Sequence, residues 1–266
     1  MKVAIAQFGP TADFDANYAE IRALTARAVE EGARLVVFPE EAMVLAEGVQ
    51  IPIADAVAVE WPRFEELVVG LAGEHGVAVI AGGYEPSGTE RPFNTLVAVD
   101  ADGTVAARYH KLHLYDAFAY QESAYVTPGA ELPPVVELAG LKVGLINCYD
   151  IRFPELARHL IDSGAELLTV SAAWVAGLRK AEHWSTLISA RAIENTVWLA
   201  AASSISAGCI GDSVILDPLG VERAALGDEP SAIAVVDITT DRTDFVRAKL
   251  PALANRRLEL AITVRN

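Results

Sequence analysis

Lys142-Val-Gly-Leu-Ile-Asn-Cys148-Tyr-Asp-Ile-Arg-Phe-Pro154-Glu-Leu-Ala-Arg-His-Leu160 is the stretch from which the fold is read. Its first half is a short apolar run, which predicts a buried strand. Its second half opens on Pro154 followed by Glu155, the pattern of a helix start. Cys148 therefore falls at a strand-to-helix turn. Free N–H groups and the positive dipole end at a helix start favour a thiolate there. A thiolate is a nucleophile, so the position suits catalysis. A lone cysteine, read by itself, is more often a buried, inert one.

The chain has 266 residues, 52% hydrophobic and 21% charged, enough to bury a large core. The net charge of −15 argues against nucleic acid or an anionic membrane as partner. Two cysteines, Cys148 and Cys209, supply neither a disulfide framework nor zinc-type spacing. No signal peptide or membrane-spanning run is read, which gives a cytoplasmic protein as the expectation.

Outward from the central stretch, the order of elements repeats. Val3 to Gln7, Arg34 to Glu40, Val77 to Gly82 and Phe93 to Val99 read as strands, with helices over Asp15 to Glu31 and Pro62 to Glu74. Thr104 to Leu114 is a further strand, followed by an aromatic-rich irregular segment, Tyr115 to Pro134. The series then restarts at Leu141. Gly164-Ala-Glu-Leu echoes Gly32-Ala-Arg-Leu, Val197 to Ala202 echoes Val77 to Gly82, and Asp217-Pro-Leu-Gly220 echoes Asp100-Ala-Asp-Gly103. Two such halves predict one α/β domain spanning residues 1–266, with two sheets inside and helices outside.

Glu40 follows Pro39 at a strand's carboxyl end, where open α/β sheets place ligands. Partial desolvation there raises a carboxylate toward useful basicity. Strand alternation sends Val36, Phe38 and Glu40 to one face and Glu41 away from it. Lys111 lies among His110, His113 and Tyr115. If that run is a strand, Lys111, His113 and Tyr115 share a face, and a buried lysine there stabilises an anion. The spacing of His110 and His113 puts them on opposite faces, so no metal site is read. Trp174 ends a strand in parallel with Glu40 and Cys148, as core or as pocket wall. Cys209, in a Ser/Gly-rich turn, is read as structural.

Together, Phe38-Pro-Glu40, Lys111-Leu-His-Leu and Cys148-Tyr-Asp-Ile-Arg-Phe-Pro-Glu155 resemble the three signature segments of the carbon–nitrogen hydrolase (nitrilase) superfamily. Glu122 to Gly129, His183 to Asn195, Gly211 to Pro218 and Val246 to Arg257 are similar to its other segments. The resemblance is nearest to the omega-amidase and deaminated-glutathione-amidase branch. It implies an αββα sandwich of two pseudo-repeated halves and at least a homodimer, for which the apolar run Leu258 to Val264 is a candidate contact. It also implies roles. Glu40 is the general base, Cys148 the nucleophile, and Lys111 the stabiliser of the tetrahedral intermediate. The Tyr149 N–H completes an oxyanion hole, and Glu122 orients Lys111 or assists proton transfer. No metal or organic cofactor is implied. The expected substrate is a small aliphatic amide, such as the terminal amide of a 2-oxo or other dicarboxylic monoamide, with Trp174 at the pocket and Arg152 or Arg179 meeting a substrate carboxylate. Arg152 is equally readable as a structural ion-pair partner. N-carbamoyl amide hydrolysis, nitrile hydrolysis and a catalytically silent binding protein are the alternatives.

Overall fold

The structure, a computed structural model, describes residues 1–259 and 261–265. Part of the C-terminal run Leu258 to Val264 thus lies outside the described residues. The first half runs β1 (Lys2–Phe8), α1 (Phe14–Glu30), β2 (Leu35–Val37), α2 (Ile53–His75), β3 (Ala78–Glu85), β4 (Phe93–Val99) and β5 (Val105–His110). A small hairpin of β6 (Asp116–Ala117) and β7 (Tyr120–Gln121) follows, then β8 (Val135–Leu138). The second half runs β9 (Leu141–Asn147), α3 (Pro154–Asp162), β10 (Leu167–Ala172), α4 (Lys180–Asn195), β11 (Trp198–Ser203), β12 (Val214–Leu216) and β13 (Glu222–Ala225). β14 (Ser231–Asp237) and α5 (Thr240–Lys249) complete the elements.

The strands form two six-stranded sheets, ordered β14-β1-β2-β3-β4-β5 and β8-β9-β10-β11-β12-β13. The repeat is therefore an equivalence of whole sheets. Three parallel strands lead each half, two antiparallel strands follow, and one antiparallel strand flanks the first. Side-chain alternation builds the layers. Val3, Ile5, Leu35 and Val37 meet Val143, Leu145, Leu167 and Trp198 between the sheets. Ala4, Val36 and Phe38 pack outward on α1 and α2. Ile146, Leu168 and Val170 pack outward on α3 and α4. This is an αββα sandwich.

Several boundaries differ from expectation for local reasons. α2 begins at Ile53, nine residues before Pro62, and carries that proline inside. The buried series Val57, Trp61, Phe64, Val68 and Leu71 keeps helical spacing through it, so burial outweighs one lost backbone bond. β2 stops at Val37 and β5 at His110. Strand alternation consequently reaches neither Glu40 nor Lys111, and the face-sharing expected of both fails. β8, β13, β14 and α5 have no counterpart in the sequence reading.

Candidate active site

Each functional side chain sits just past the end of a strand. After Val37 the chain turns through Phe38 and Pro39 against β3. There Gly82 donates to the Pro39 carbonyl at 3.1 Å and accepts from Met43 at 3.1 Å. A side chain at Gly82 would put its Cβ 1.9 Å from the Glu40 carbonyl oxygen, so glycine is what admits this turn. Lys111 leaves β5 held by its own N–H on Asn94 (2.8 Å) and by the Gly129 N–H on its carbonyl (2.9 Å). Cys148 is the first residue after β9 and has a positive φ of 47°, strained for a residue with a side chain. A 3₁₀ turn, Cys148–Arg152, separates it from α3. Glu122 opens a second 3₁₀ turn after the hairpin and accepts the Tyr115 N–H at 2.6 Å.

These residues converge. The Lys111 ammonium donates to Glu40 Oε1 at 2.7 Å and to Glu122 Oε2 at 2.8 Å. Asn94 Nδ2 donates to the same two carboxylates, at 2.8 and 2.9 Å, and its oxygen accepts from Asn147 Nδ2 at 2.9 Å. The Ala173 N–H donates to Glu40 Oε2 at 2.8 Å. Cys148 lines the same cavity as Glu40. Glu40, Lys111 and Glu122 are buried, as is Cys148 at 7% exposure, beside a cavity of about 430 Å³.

Burial works against the Glu40 anion, but the Lys111 ammonium and hydrogen bonds from Cys148, Lys111 and Ala173 hold its carboxyl below the ordinary value. Burial likewise opposes the Lys111 cation, and Glu40 and Glu122 overcome it, so Lys111 stays charged. Burial and the Glu40 charge push the Cys148 thiol well above its ordinary value, with Lys111 opposing only in part. The thiolate expected from a helix start is therefore corrected. The 3₁₀ turn separates Cys148 from α3, and burial and the Glu40 charge favour the thiol form.

Tyr149 lines the cavity, and its N–H lies in the first turn of the 3₁₀ segment, where backbone donors lack intrahelical acceptors. Its ring meets Tyr115 edge-on, with centroids 5.2 Å apart. Trp174 is both core and wall. It is 2% exposed, donates to the Lys180 carbonyl at 2.8 Å and lines the cavity. Arg152 does not line it. Its guanidinium stacks over Trp174 at 4.8 Å and Tyr149 at 5.6 Å, and two of its nitrogens, Nε and Nη2, are buried without a hydrogen-bond partner. Arg179 pairs outward with Glu182. Neither arginine is placed to meet a bound substrate directly.

Two residues assigned elsewhere line the cavity, Glu41 and Cys209. Glu41 faces inward because β2 has already ended, and it accepts the Tyr84 hydroxyl at 2.7 Å. Cys209 is brought in by its bridge to Val175. His110 and His113 serve structure, His110 against Glu85 and His113 on Asp150. Asn94, Asn147 and Lys180 were missed. For Asn147 the signal was its place at the end of β9 next to Cys148, whereas Asn94, inside β4, carried none.

The carbon–nitrogen hydrolase family model matches residues 2–248. The chain is 41% identical, over 97% of either sequence, to deaminated glutathione amidase from Escherichia coli O157:H7. Its structure is similar to that of the Caenorhabditis elegans NitFhit protein, with a TM-score of 0.87, 28% identity and 96% of this chain covered; the match spans 65% of NitFhit. It is also similar to a glutamate-to-glutamine mutant of the amidase from Nesterenkonia sp. AN1. That match has a TM-score of 0.80 and 30% identity, and it covers 96% of this chain and 99% of that one. In the Nesterenkonia structure acrylamide has undergone Michael addition at the active-site cysteine. This chain belongs to the carbon–nitrogen hydrolase family, as an enzyme of the amidase type that acts on carbon–nitrogen bonds other than peptide bonds.

Proposed function

We propose that this enzyme hydrolyses the amide of a small aliphatic substrate through a thioester on Cys148, releasing ammonia and a carboxylic acid. One observation carries the reading: a single buried carboxylate, Glu40, accepts from the Lys111 ammonium and lines one cavity with Cys148. Glu40 takes the thiol proton as Sγ attacks the amide carbonyl. Lys111 Nζ and the Tyr149 N–H stabilise the oxyanion. Glu40 returns the proton to the departing nitrogen, then deprotonates the water that attacks the thioester. Glu122 and Asn94 hold Lys111 and Glu40 in register, and Trp174 walls the acyl group.

The relatives named deaminated glutathione amidase support an amide over a nitrile or an N-carbamoyl group. The resemblance further supports a homodimer, and the lack of any helix long and apolar enough to cross a membrane among the described residues is consistent with a cytoplasmic location. We read residues 1–266 as one such domain. Turnover of a panel of amides, nitriles and N-carbamoyl amino acids tests the reading. Ammonia release from an amide is expected, with an acyl adduct on Cys148 in acid-quenched protein by mass spectrometry, and Cys148→Ala should lose both while remaining folded. Turnover in Cys148→Ala, or release from nitriles alone, would overturn it.

A further inference from the structure

Two side-chain amides meet behind the active site. Asn94 lies in β4 of the first sheet, is buried and lines the cavity. Asn147 ends β9 of the second sheet, is fully buried and stands behind the cavity wall. The bond from Asn147 Nδ2 to Asn94 Oδ1, at 2.9 Å, therefore runs from one sheet to the other. It ties the sheets together one residue before Cys148, where the backbone takes its positive φ of 47°.

The carboxylates dictate how both amides are turned. Glu40 and Glu122, paired with the Lys111 ammonium, can only accept hydrogen bonds. Asn94 stands 2.8 Å from Glu40 Oε1 and 2.9 Å from Glu122 Oε1, so its nitrogen must face them and give one hydrogen to each. Its oxygen then faces Asn147, which must answer with a nitrogen. Turned over, the Asn94 amide would set its oxygen against two carboxylates. This arrangement leaves Asn147 Oδ1 buried without a partner, and an unpaired buried oxygen is destabilising. Ser171 on β10, opposite Asn147 in the parallel register, brings no relief, because its own hydroxyl is unpartnered. A leucine between Ile146 and Cys148 would fill the place with no orphan oxygen. What asparagine adds there is the N–H donor.

We propose that Asn147 is a positioning residue for the reaction: its donation to Asn94 locks that amide with both hydrogens on the carboxylates, and so holds Glu40 and Glu122 at one spacing around Lys111. This rests on Glu40 as the base of the proposed amidase and adds the group that sets its alignment. Without the donor, the Asn94 amide is free to turn. Glu40 then loses a hydrogen bond that favours its anion, and Lys111 is left to bridge the two carboxylates alone. The consequence falls on proton transfer rather than on substrate binding, because Asn147 acts from behind Asn94.

The test is the pH dependence of iodoacetamide alkylation at Cys148, followed by peptide mass spectrometry in wild type, Asn147→Leu and Ser171→Ala. Glu40 takes the thiol proton in this reaction, so the rate falls on the acid side as Glu40 is protonated. Lys111, Glu122, Glu41 and Cys148 surround Glu40 and are the same in all three proteins. In Asn147→Leu the acid limb should move to higher pH, and the plateau rate should fall on the order of 10-fold as the base loses its alignment. Ser171→Ala changes an equally buried neighbour outside the amide chain and should keep both at their wild-type values. An unmoved limb in Asn147→Leu, or the same movement in Ser171→Ala, would overturn the proposal. Alkylation needs no amide substrate, so it decides the role of Asn147 even where the amidase reading fails. With an amide that wild type hydrolyses, Asn147→Leu should lower kcat and leave KM near its wild-type value, and a loss confined to KM would count against the proposal. Should Asn147→Leu fail to fold, Asn147→Ala, which removes the donor without adding a branched side chain, decides by the same limb.

Discussion

Glu40 and Glu41 are consecutive, share a side chain and line one cavity, yet their protons behave oppositely. Glu40 has Lys111, Asn94 and the Ala173 N–H, and its carboxyl is held below the ordinary range. Glu41 is half-buried; desolvation and the Glu40 charge outweigh the Tyr84 hydroxyl and the more distant Lys111, and its carboxyl is pushed up to about 8. The signs for stability follow. The Glu40 contribution is present above its unfolded value and is lost as pH falls through the folded one. Glu41 binds its proton more tightly folded than unfolded, so its contribution declines as pH rises from about 4.5 through about 8. Glu41→Gln keeps an acceptor for Tyr84 and removes that decline. The variant should gain about 3–6 °C in Tm over wild type at pH 9 and far less at pH 5. Thermal unfolding at the two pH values checks this, and a gain independent of pH would refute it. Glu40 was legible because the apolar run Leu35 to Phe38 and Pro39 come just before it. The inward turn of Glu41 was not, since a period-two argument does not say where a strand stops. Lys180 was hidden too, because a lysine in Gly-Leu-Arg-Lys looks like a solvated helix start until the hairpin folds over it.

At the scale of elements, the site depends on how closely β3 approaches the turn after β2. Gly82→Ala forces a Cβ into the backbone of Glu40, and misplacing a base by a fraction of an ångström is expensive in rate. Activity should fall on the order of 10²-fold or more. Gly70→Ala, whose added Cβ meets nothing within 4 Å on α2, is the control and should retain wild-type activity. Ammonia release by both purified variants is the measurement, and near-normal activity in Gly82→Ala would show that the turn can yield. The repeat was readable because its landmarks do the same local work in both halves. Gly32 and Gly164 both take positive φ, and the residues after them send N–H groups back to the preceding helix and to the neighbouring strand. Asp100 and Asp217 each accept from the glycine of their turn, at 2.9 and 2.8 Å. β14 and α5 lack such landmarks, and β14 is only half-buried, so its hydrophobic signal is weak.

For the molecule as a whole, the acidic charge coexists with an apolar surface patch. Ile193 on α4 is 43% exposed, and Leu219 and Val221, in the turn that packs Gly220 against Ile193, are 41% and 50% exposed. Patches of this kind mark contacts between proteins, which fits the homodimer proposed above. Sedimentation velocity should show a species of twice the 28.3 kDa of one chain. A lone 28.3 kDa species at micromolar concentration would count against the dimer. The layered architecture was legible because both sheets alternate cleanly between the inner core and the helices. The assembly was not, since the composition of a surface does not say which copy covers it.

β14 has a consequence for the order in which the molecule is made. It pairs with β1 along its full length, from Lys2 opposite Asp237 to Phe8 opposite Ser231, and the N-terminal amine donates to Asp237. In the second half, the flanking strand β8 immediately precedes β9 in the chain. On a ribosome, then, the later half is born with its edge already covered. The earlier half waits with an open edge on β1 until Ser231–Asp237 have emerged. The half that supplies Glu40 and Lys111 is translated first and sealed last, so both come to rest beside Cys148 in a sandwich that closes only once β14 has been made.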